Sequence, residues 1–410
     1  MTIRRIIINP LFVFLGVWAI AFLLLKIDVS SIVELSLPDG FAFQAMLVAI
    51  GAVIGYGIGF YWLSNFRRRS KQFTNEHKNL SHIILRLFPI ICFIFLITVV
   101  VGGGIPIVYY LTGSGPSYAE FGIPTVHGFF NSLLLFVGTL AFWALMDFSS
   151  RRWIRPVFLI CLAIPIIAVH RASLMILIVQ CAVVYIALRI RHLNKRVVIL
   201  ALLLAFTIVA FGIIGNLRSG ELGQRAALQP EYEWIPSWAL WFYMYLTTPL
   251  SNFAWATTMN FVHTSGAASL SSLTPTVVRT AIWGEAPPIM LEFGERTFNV
   301  ACYAMPLYLD WGWSGVIFFT GFILMLAGYF FRTFLCRHSL YDLLRLSVLL
   351  QIIIMTIFAN FLLSAAIIFE LMLTFLFRRF LIRIDAYGKH RQDIVNVRKN
   401  WLTKTVGHND

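Results

Sequence analysis

The chain has 410 residues, of which 59% are hydrophobic, and its formal net charge is +14. A soluble fold is excluded, because repeated uncharged apolar runs of about 20 residues are typical of membrane-spanning helices. The positive charge could indicate nucleic-acid binding, so its distribution along the chain decides its meaning. The first apolar run lacks a small-residue cleavage site and is long enough to span, so no cleavable signal peptide is predicted.

The apolar runs predict about ten transmembrane helices. The first eight are expected at about 6–25, 41–63, 83–101, 128–147, 155–169, 173–188, 197–214 and 305–330. The run 346–377 is too long for one helix and predicts a hairpin of two spans that turns near Asn360–Ser364. We therefore expect an all-α polytopic membrane protein in which 1–410 form a single integral membrane domain, with a long loop at 215–304 and a basic tail at 383–410.

The basic residues are unequally divided between the two sides of this arrangement. All but six of the 32 lysines and arginines lie on one side, and the exceptions are Lys26, Arg171, Arg218, Arg225, Arg279 and Arg296. Under the positive-inside rule, both termini are cytoplasmic and the long loop is periplasmic. The positive charge is therefore interpreted as a topology signal, and nucleic acid is not an expected partner.

The aromatic stretch Trp234–Asn260 is the one ambiguous element. It is apolar enough to resemble a span, but a single crossing there would expose Arg332, Arg337 and the basic tail on the outer side. Its tryptophans and tyrosines favour the headgroup level, and it contains Pro236 and Pro249. We predict a helix that lies at the interface or re-enters the membrane, and that stacks on sugar rings and seats lipid chains.

Arg171 is the strongest single candidate for a functional residue. It lies in the shortest outer turn, between two apolar helices, where an ionisable group is a functional hypothesis by default. Arginine presents a planar fork that can bind phosphate with two hydrogen bonds. The alternative is an interfacial arginine whose side chain extends towards the headgroups.

The long loop supplies further candidates for an anionic substrate. Arg218 lies within a glycine-bounded turn, Gly215–Gly220, and Arg279 and Arg296 flank an acidic segment that includes Glu295. Such a cluster could hold a diphosphate beside a carboxylate base, with Glu295 or His263 as the base. An anchoring arginine, a solvated salt-bridge network and a structural histidine are the competing interpretations.

One carboxylate, Glu370, lies deep inside a predicted span. It could be the proton site of a transporter, or it could form hydrogen bonds within the bundle. The sequence contains no Asp-x-Asp metal motif, Walker loop, HExxH or G-x-S-x-G. The absence of these motifs argues against metal-dependent sugar-nucleotide chemistry and against ATP-driven transport. Neither a metal nor a cofactor is expected.

Four segments, taken in order, carry a resemblance to a known family: Tyr118–Gly128, His170–Ser173, Tyr245–Phe253 and Tyr308–Gly315. Together they resemble the Wzy-type O-antigen (oligosaccharide repeat-unit) polymerases of bacterial inner membranes. The resemblance implies a GT-C-like membrane glycosyltransferase that acts without metal and with inversion, on glycans linked to undecaprenyl diphosphate. It also implies a chain-length regulator in the membrane as a partner.

Arg171 matches the family's arginine at the outer start of a helix, whereas Arg218, Arg279 and Arg296 match only by their position in the loop. The paired Arg-x10-Gly motifs of some members are absent. Two alternatives stay open: an O-antigen ligase that transfers glycan to lipid A-core, and a transporter or flippase of lipid-linked sugars.

Overall fold

The computed structural model describes most of the membrane-embedded chain. The described residues are 3–27, 29–30, 37–63, 80–112, 121–123, 126–147, 152–189, 205, 208–210, 212–216, 229–259, 262–271, 273–274, 276–284, 301–337 and 339–377. Their regular structure is helical, with no β-strand among them. The helices are α1 (Ile3–Ile7), α2 (Pro10–Leu25), α3 (Phe41–Gly57), α4 (Leu80–Val101), α5 (Pro106–Thr112), α6 (Val126–Asp147), α7 (Ile154–Ile167), α8 (Arg171–Arg189), α9 (Ser237–Ala256), α10 (Ala267–Leu270), α11 (Thr276–Trp283), α12 (Ala304–Arg337), α13 (Leu340–Ile354) and α14 (Ala365–Phe377).

The prediction of a polytopic helical membrane protein is confirmed. Within the described residues, six helical segments are long and apolar enough to cross a membrane: Phe41–Leu63, Ile83–Val101, Val126–Met146, Arg171–Arg189, Ala304–Arg337 and Leu340–Ile357. Three shorter apolar helices, α2, α7 and α14, coincide with further predicted spans. The predicted span 197–214 lies mostly outside the described residues, as does the basic tail, so the count of ten stays a prediction.

The bundle has inner and outer helices, although all of them are apolar in sequence. The segment containing α13 is almost completely buried, and α6 and α8 are mostly buried. By contrast, the segments containing α3 and α4 expose large side chains such as Phe43, Phe93 and Val100. A membrane protein can leave such side chains in contact with lipid, so hydrophobicity alone does not separate core from surface.

A glycine seam joins α3 to α12. Gly51, Gly55 and Gly59 recur every four residues and therefore lie on one helix face. A β-carbon added at Gly55 would lie 2.0 Å from the carbonyl oxygen of Gly321, so the two backbones touch. Close backbone approach of this kind is how small residues hold membrane helices together. The pairing of Gly51 with Ile317 and of Gly55 with Gly321 shows that α3 and α12 run parallel.

The helix α9, from the ambiguous aromatic stretch, begins and ends at the same end of the bundle. In its first half, the Tyr243 hydroxyl accepts a hydrogen bond from the backbone N–H of Val29, in the connection that follows α2. In its second half, the ring of Phe253 packs at 5.7 Å from that of Phe41, the first residue of α3. Since α2 ends where α3 begins, α9 does not cross the bundle. The predicted placement of this helix at the interface or as a re-entrant segment stays a prediction.

The hairpin turn predicted near Asn360–Ser364 coincides with the break between α13 and α14, where Phe361–Leu363 form a short 3-10 helix. This turn lies at the same end of the bundle as α9, because the Phe358 ring is 6.3 Å from that of Tyr245. The Trp18 indole also donates a hydrogen bond to the Thr356 hydroxyl, 3.1 Å away. One end of the bundle therefore gathers α9, the hairpin turn and the starts of α3, α8 and α12.

Candidate functional site

The turn between α7 and α8 presents Arg171 as the first residue of a helix. Val169 adopts a positive φ of 54°, which reverses the chain sharply. The next residue, His170, caps α8: its Nδ1 accepts a hydrogen bond from the backbone N–H of Ser173, 3.2 Å away. This bond satisfies one of the four backbone donors that a helix leaves open at its start. Arg171 consequently lies at the positive end of the α8 dipole.

The guanidinium of Arg171 is held between two aromatic rings of α9. Only 6% of the residue is exposed, and its Cζ lies 5.3 Å from the ring centroid of Trp241 and 5.2 Å from that of Tyr245. Arg171 Nη2 also donates a hydrogen bond to the Tyr245 hydroxyl at 3.1 Å. Trp241 and Tyr245 are four residues apart on one helix face, which lets both contact the same cation.

The start of the predicted long loop closes a third side of this site. The Trp241 indole donates a hydrogen bond to Asn216 Oδ1 at 2.6 Å. A β-carbon at Gly215 would lie 3.0 Å from Arg171 Nη1 and 3.0 Å from the Trp241 ring. A side chain at position 215 would crowd the guanidinium and the indole ring, whereas glycine lets the backbone approach both. The predicted boundary at 215 coincides with a wall of the site.

Two histidines lie near the start of α8. The ring of His127, near the start of α6, lies 5.7 Å from that of His170, the residue before Arg171. The Ser173 hydroxyl bridges the same two helices by donating to Asn131 Oδ1 at 3.4 Å. Because His170 Nδ1 accepts a backbone hydrogen bond, its ring proton is on Nε2. Two imidazoles that can exchange protons therefore lie together where α8 begins.

An apolar cavity of about 460 Å³ lies between α2, α8, α9 and α13. Met175, one turn along α8 on the same face as Arg171, lines it, and so does Phe358, whose ring packs against Tyr245. From there the cavity extends along α2, α8 and α13 to Ile8 and Ile186, at the other end of these helices. Arg171 is thus one helical turn from the lining of a long apolar space.

A second polar group lies at the far end of α9 and is centred on Asp310, which is 2% exposed. The carboxylate accepts hydrogen bonds from the backbone N–H groups of Ala268 and Ser269 at 3.0 and 2.8 Å, and also from the hydroxyls of Thr264 and Ser269. Four donors account for its burial, and they fix the loop that follows α9 onto α12.

His263, one of the two predicted bases, belongs to this second group. Its Nδ1 lies 3.2 Å from the carbonyl oxygen of Leu309, so this nitrogen is the donor and carries the ring proton. The ring also packs 6.4 Å from that of Tyr308. His263 therefore lies beyond Phe253, at the opposite end of α9 from Arg171.

The structure places only some of the predicted site residues. Arg171 occupies the predicted turn, and Arg279 lies exposed on α11, a helix joined to the loop after α9 by a hydrogen bond from the Trp283 indole to the carbonyl of Ser265. The other predicted residues, Arg218, Glu295 and Arg296, lie outside the described residues.

The sequence interpretation did not foresee the contact of Trp241 and Tyr245 with Arg171, nor the pairing of His127 with His170. The four-residue spacing of the two aromatic residues was the available signal for the first. No local signal connects His127 with His170, because 43 positions separate them in the chain.

Comparison with known proteins identifies no relative of this chain. No family profile matches the sequence, no characterised protein matches it, and no solved structure matches its fold.

Proposed function

We propose that the chain is an O-antigen polymerase: a membrane glycosyltransferase that joins oligosaccharide repeat units carried on undecaprenyl diphosphate, at the periplasmic face of a bacterial inner membrane. The observation that carries the proposal is the position of Arg171, a buried cation one helical turn from Met175, which lines an apolar cavity of about 460 Å³. An amphiphile with an anionic head and a long hydrocarbon tail matches both parts of this site.

The head group that fits Arg171 is a diphosphate. The guanidinium and the N-terminus of α8 have the same sign of charge, so together they favour a bound anion. The rings of Trp241 and Tyr245 contact the guanidinium and hold it at the start of α8. Arg218, Arg279 and Arg296 are proposed as the further diphosphate-binding residues.

The reaction is a displacement at the anomeric carbon of the donor glycan. The bond from that carbon to the diphosphate oxygen breaks while the acceptor hydroxyl oxygen bonds to the opposite face, so the configuration inverts. The acceptor's proton passes to a base, and undecaprenyl diphosphate leaves with its added negative charge held by arginines. Glu295 or His263 is the base proposed from sequence, and the pair of His127 and His170, where α8 begins, is a further candidate.

The test is the polymer ladder made by variants of Arg171. Arg171→Ala and Arg171→Lys, expressed in cells at the wild-type membrane level, should both lose long-chain polymer, because lysine lacks the planar fork that stacks on two rings and binds two oxygens. The matched control is Arg189→Lys, at the exposed other end of α8, which should leave the ladder unchanged. A normal ladder from Arg171→Ala would refute the site.

An O-antigen ligase would use the same site, so the acceptor distinguishes the two activities. Purified protein is supplied with lipid-linked repeat units and no lipid A-core. A polymerase lengthens the glycan under these conditions, whereas a ligase leaves it unchanged.

A transporter of lipid-linked sugars is the second candidate, favoured by one observation. Glu370 is 1% exposed and lies against Gln180, whose side-chain oxygen accepts a hydrogen bond from the Thr139 hydroxyl at 2.7 Å. A carboxylate buried within a membrane bundle is typical of proton-coupled transport. Vesicles containing the wild-type protein and Glu370→Gln would test it: transport that is lost in the variant, without polymerisation by either, would favour the transporter.

A further inference from the structure

A second apolar cavity, of about 200 Å³, lies on the other side of α2 from the first. The first cavity is lined from α2 by Val13, Val17 and Ile20, whereas the second is lined from α2 by Leu15, Trp18 and Phe22. The helix α2 is therefore a partition with one cavity on each face. The other walls of the second cavity come from α3, α9 and α12, including Ala45, Ala49, Phe253 and Trp313.

The shape and chemistry of this second cavity suit a hydrocarbon chain. Ala45 and Ala49, one turn apart on α3, leave the space open, and aromatic rings cover one end of it. The ring of Phe41 packs 5.5 Å from that of Trp313 and 5.7 Å from that of Phe253. An apolar cavity of about 150 Å³ is enough to hold a benzene ring. The present cavity can therefore take a branched segment of comparable size.

The cavity borders the surface of the bundle that faces lipid. Leu15, which lines it, is 36% exposed, and Ala45 and Ala49 are half-buried. The neighbouring outward residues of α3, among them Phe43 and Met46, are large and exposed. A lipid chain can thus enter sideways between α2 and α3, without passing through the core.

The helix α9 connects the two cavities. Leu246 lines the first and Phe253 lines the second, seven residues apart on the same helix, or about 10 Å along its axis. Beyond Phe253 lies Tyr308, 5.8 Å away between ring centroids, and beyond Tyr308 lies His263. The second cavity therefore has polar side chains, Tyr308 and His263, near the wall that Phe253 forms, as the first cavity has Arg171 one helical turn from Met175.

We propose that the second cavity binds the polyprenyl chain of the acceptor, the second lipid-linked substrate; this inference rests on the proposed polymerase function. The acceptor hydroxyl belongs to a sugar of the repeat unit, and the other sugars of that unit separate it from its own diphosphate. The acceptor lipid must therefore be bound away from Arg171 for its hydroxyl to reach the donor's anomeric carbon beside Arg171. Tyr245, which contacts Arg171, and Phe253, which lines the second cavity, are eight residues apart on α9, or about 12 Å along its axis, and this separation provides the offset.

The experiment counts bound polyprenyl diphosphate by native mass spectrometry of the purified full-length protein. The wild type should bind two molecules. Ala45→Phe fills the second cavity and should bind one, and Ala49→Phe is an independent variant with the same expected result. The control is Ala42→Phe, on the exposed face of α3, which should still bind two. Arg171→Ala should lose the other molecule.

The outcomes separate this inference from the function on which it rests. One molecule bound by the wild type, or two bound by both cavity variants, would overturn the second site and leave the polymerase proposal intact. Two molecules retained by Arg171→Ala, with one lost in Ala45→Phe, would refute the donor site and keep the second cavity. A diazirine-bearing polyprenyl diphosphate should label α3 in the unmodified protein, because α3 lines only the second cavity, and competition by phospholipid at equal concentration would overturn the assignment to polyprenyl substrate.

Discussion

Substitution of Gly55 by alanine tests the packing that holds α3 against α12. The added β-carbon would lie 2.0 Å from the carbonyl oxygen of Gly321 and 2.6 Å from its carbonyl carbon. Non-bonded heavy atoms prefer separations of about 3.5 Å, so the two helices must move apart by about 1.5 Å. The contacts of Gly51 and Gly59 along the same seam would loosen with them.

The expected cost follows from this displacement. Overpacking a well-packed interface typically costs about 1–3 kcal/mol, and here both clashing groups include backbone that cannot rotate away. The matched control is Gly57→Ala on the same helix, where an added β-carbon meets no atom within 4 Å. Since alanine favours helix over glycine by about 0.5–1 kcal/mol, the control should be neutral or slightly stabilised.

The assay is equilibrium unfolding in mixed detergent and SDS micelles. It compares the free energies of unfolding of the purified wild type, Gly55→Ala and Gly57→Ala. Gly55→Ala should lose about 2 kcal/mol or more relative to Gly57→Ala. Equal unfolding free energies for the two variants would refute the close approach of α3 and α12.

Three further substitutions test other contacts. Tyr245→Phe keeps the ring over Arg171 but removes the hydroxyl that accepts its hydrogen bond. A hydrogen bond to a charged group contributes about 1.5–3 kcal/mol, so kcat/KM for polymer formation should fall about tenfold or more. An unchanged kcat/KM would contradict this role. Asp310→Asn replaces one carboxylate oxygen, which accepts two hydrogen bonds, with an amide nitrogen that can only donate. The loop after α9 should therefore become sensitive to limited proteolysis, and the free energy of unfolding should fall by about 3 kcal/mol. Protease resistance equal to that of the wild type would contradict this role of Asp310. Arg345→Met removes the cation 3.7 Å from the buried Asp342 carboxylate and should lower the free energy of unfolding by about 3 kcal/mol. Adding Asp342→Asn to this variant should restore part of the loss. A double variant as unstable as Arg345→Met alone would exclude the pairing.

The sequence by itself determined the membrane character of the chain and the approximate places of most helices. Uncharged runs of about 20 residues are a strong signal, because unpaired backbone polar groups cannot be left in hydrocarbon and helices satisfy them locally. It also identified Arg171, since a charge in a very short turn between two apolar helices is conspicuous in any such chain. The hairpin turn near Asn360–Ser364 followed from length alone.

Which faces of these helices are buried was decided only by the tertiary structure. In a soluble protein, polar and apolar stripes indicate the core, but in a bilayer the lipid-facing side is as apolar as the interior. The burial of α13 and the exposure of α3 could therefore not be predicted from their similar compositions. The glycines of α3 are visible in the sequence, but their partner helix, more than 260 positions later, is not.

The candidate site likewise required long-range contacts. The sequence singled out Arg171 as a candidate, but the aromatic rings that contact it, 70 and 74 positions away, meet it only when α8 and α9 pack together. His127 likewise meets His170 only when α6 packs against the start of α8. The two cavities on opposite faces of α2 exist because helices of unequal side-chain size leave space between them, which is a property of packing. The sequence determines where the helices lie along the chain and where the arginine occurs. The packing of the bundle determines which side chains surround that arginine.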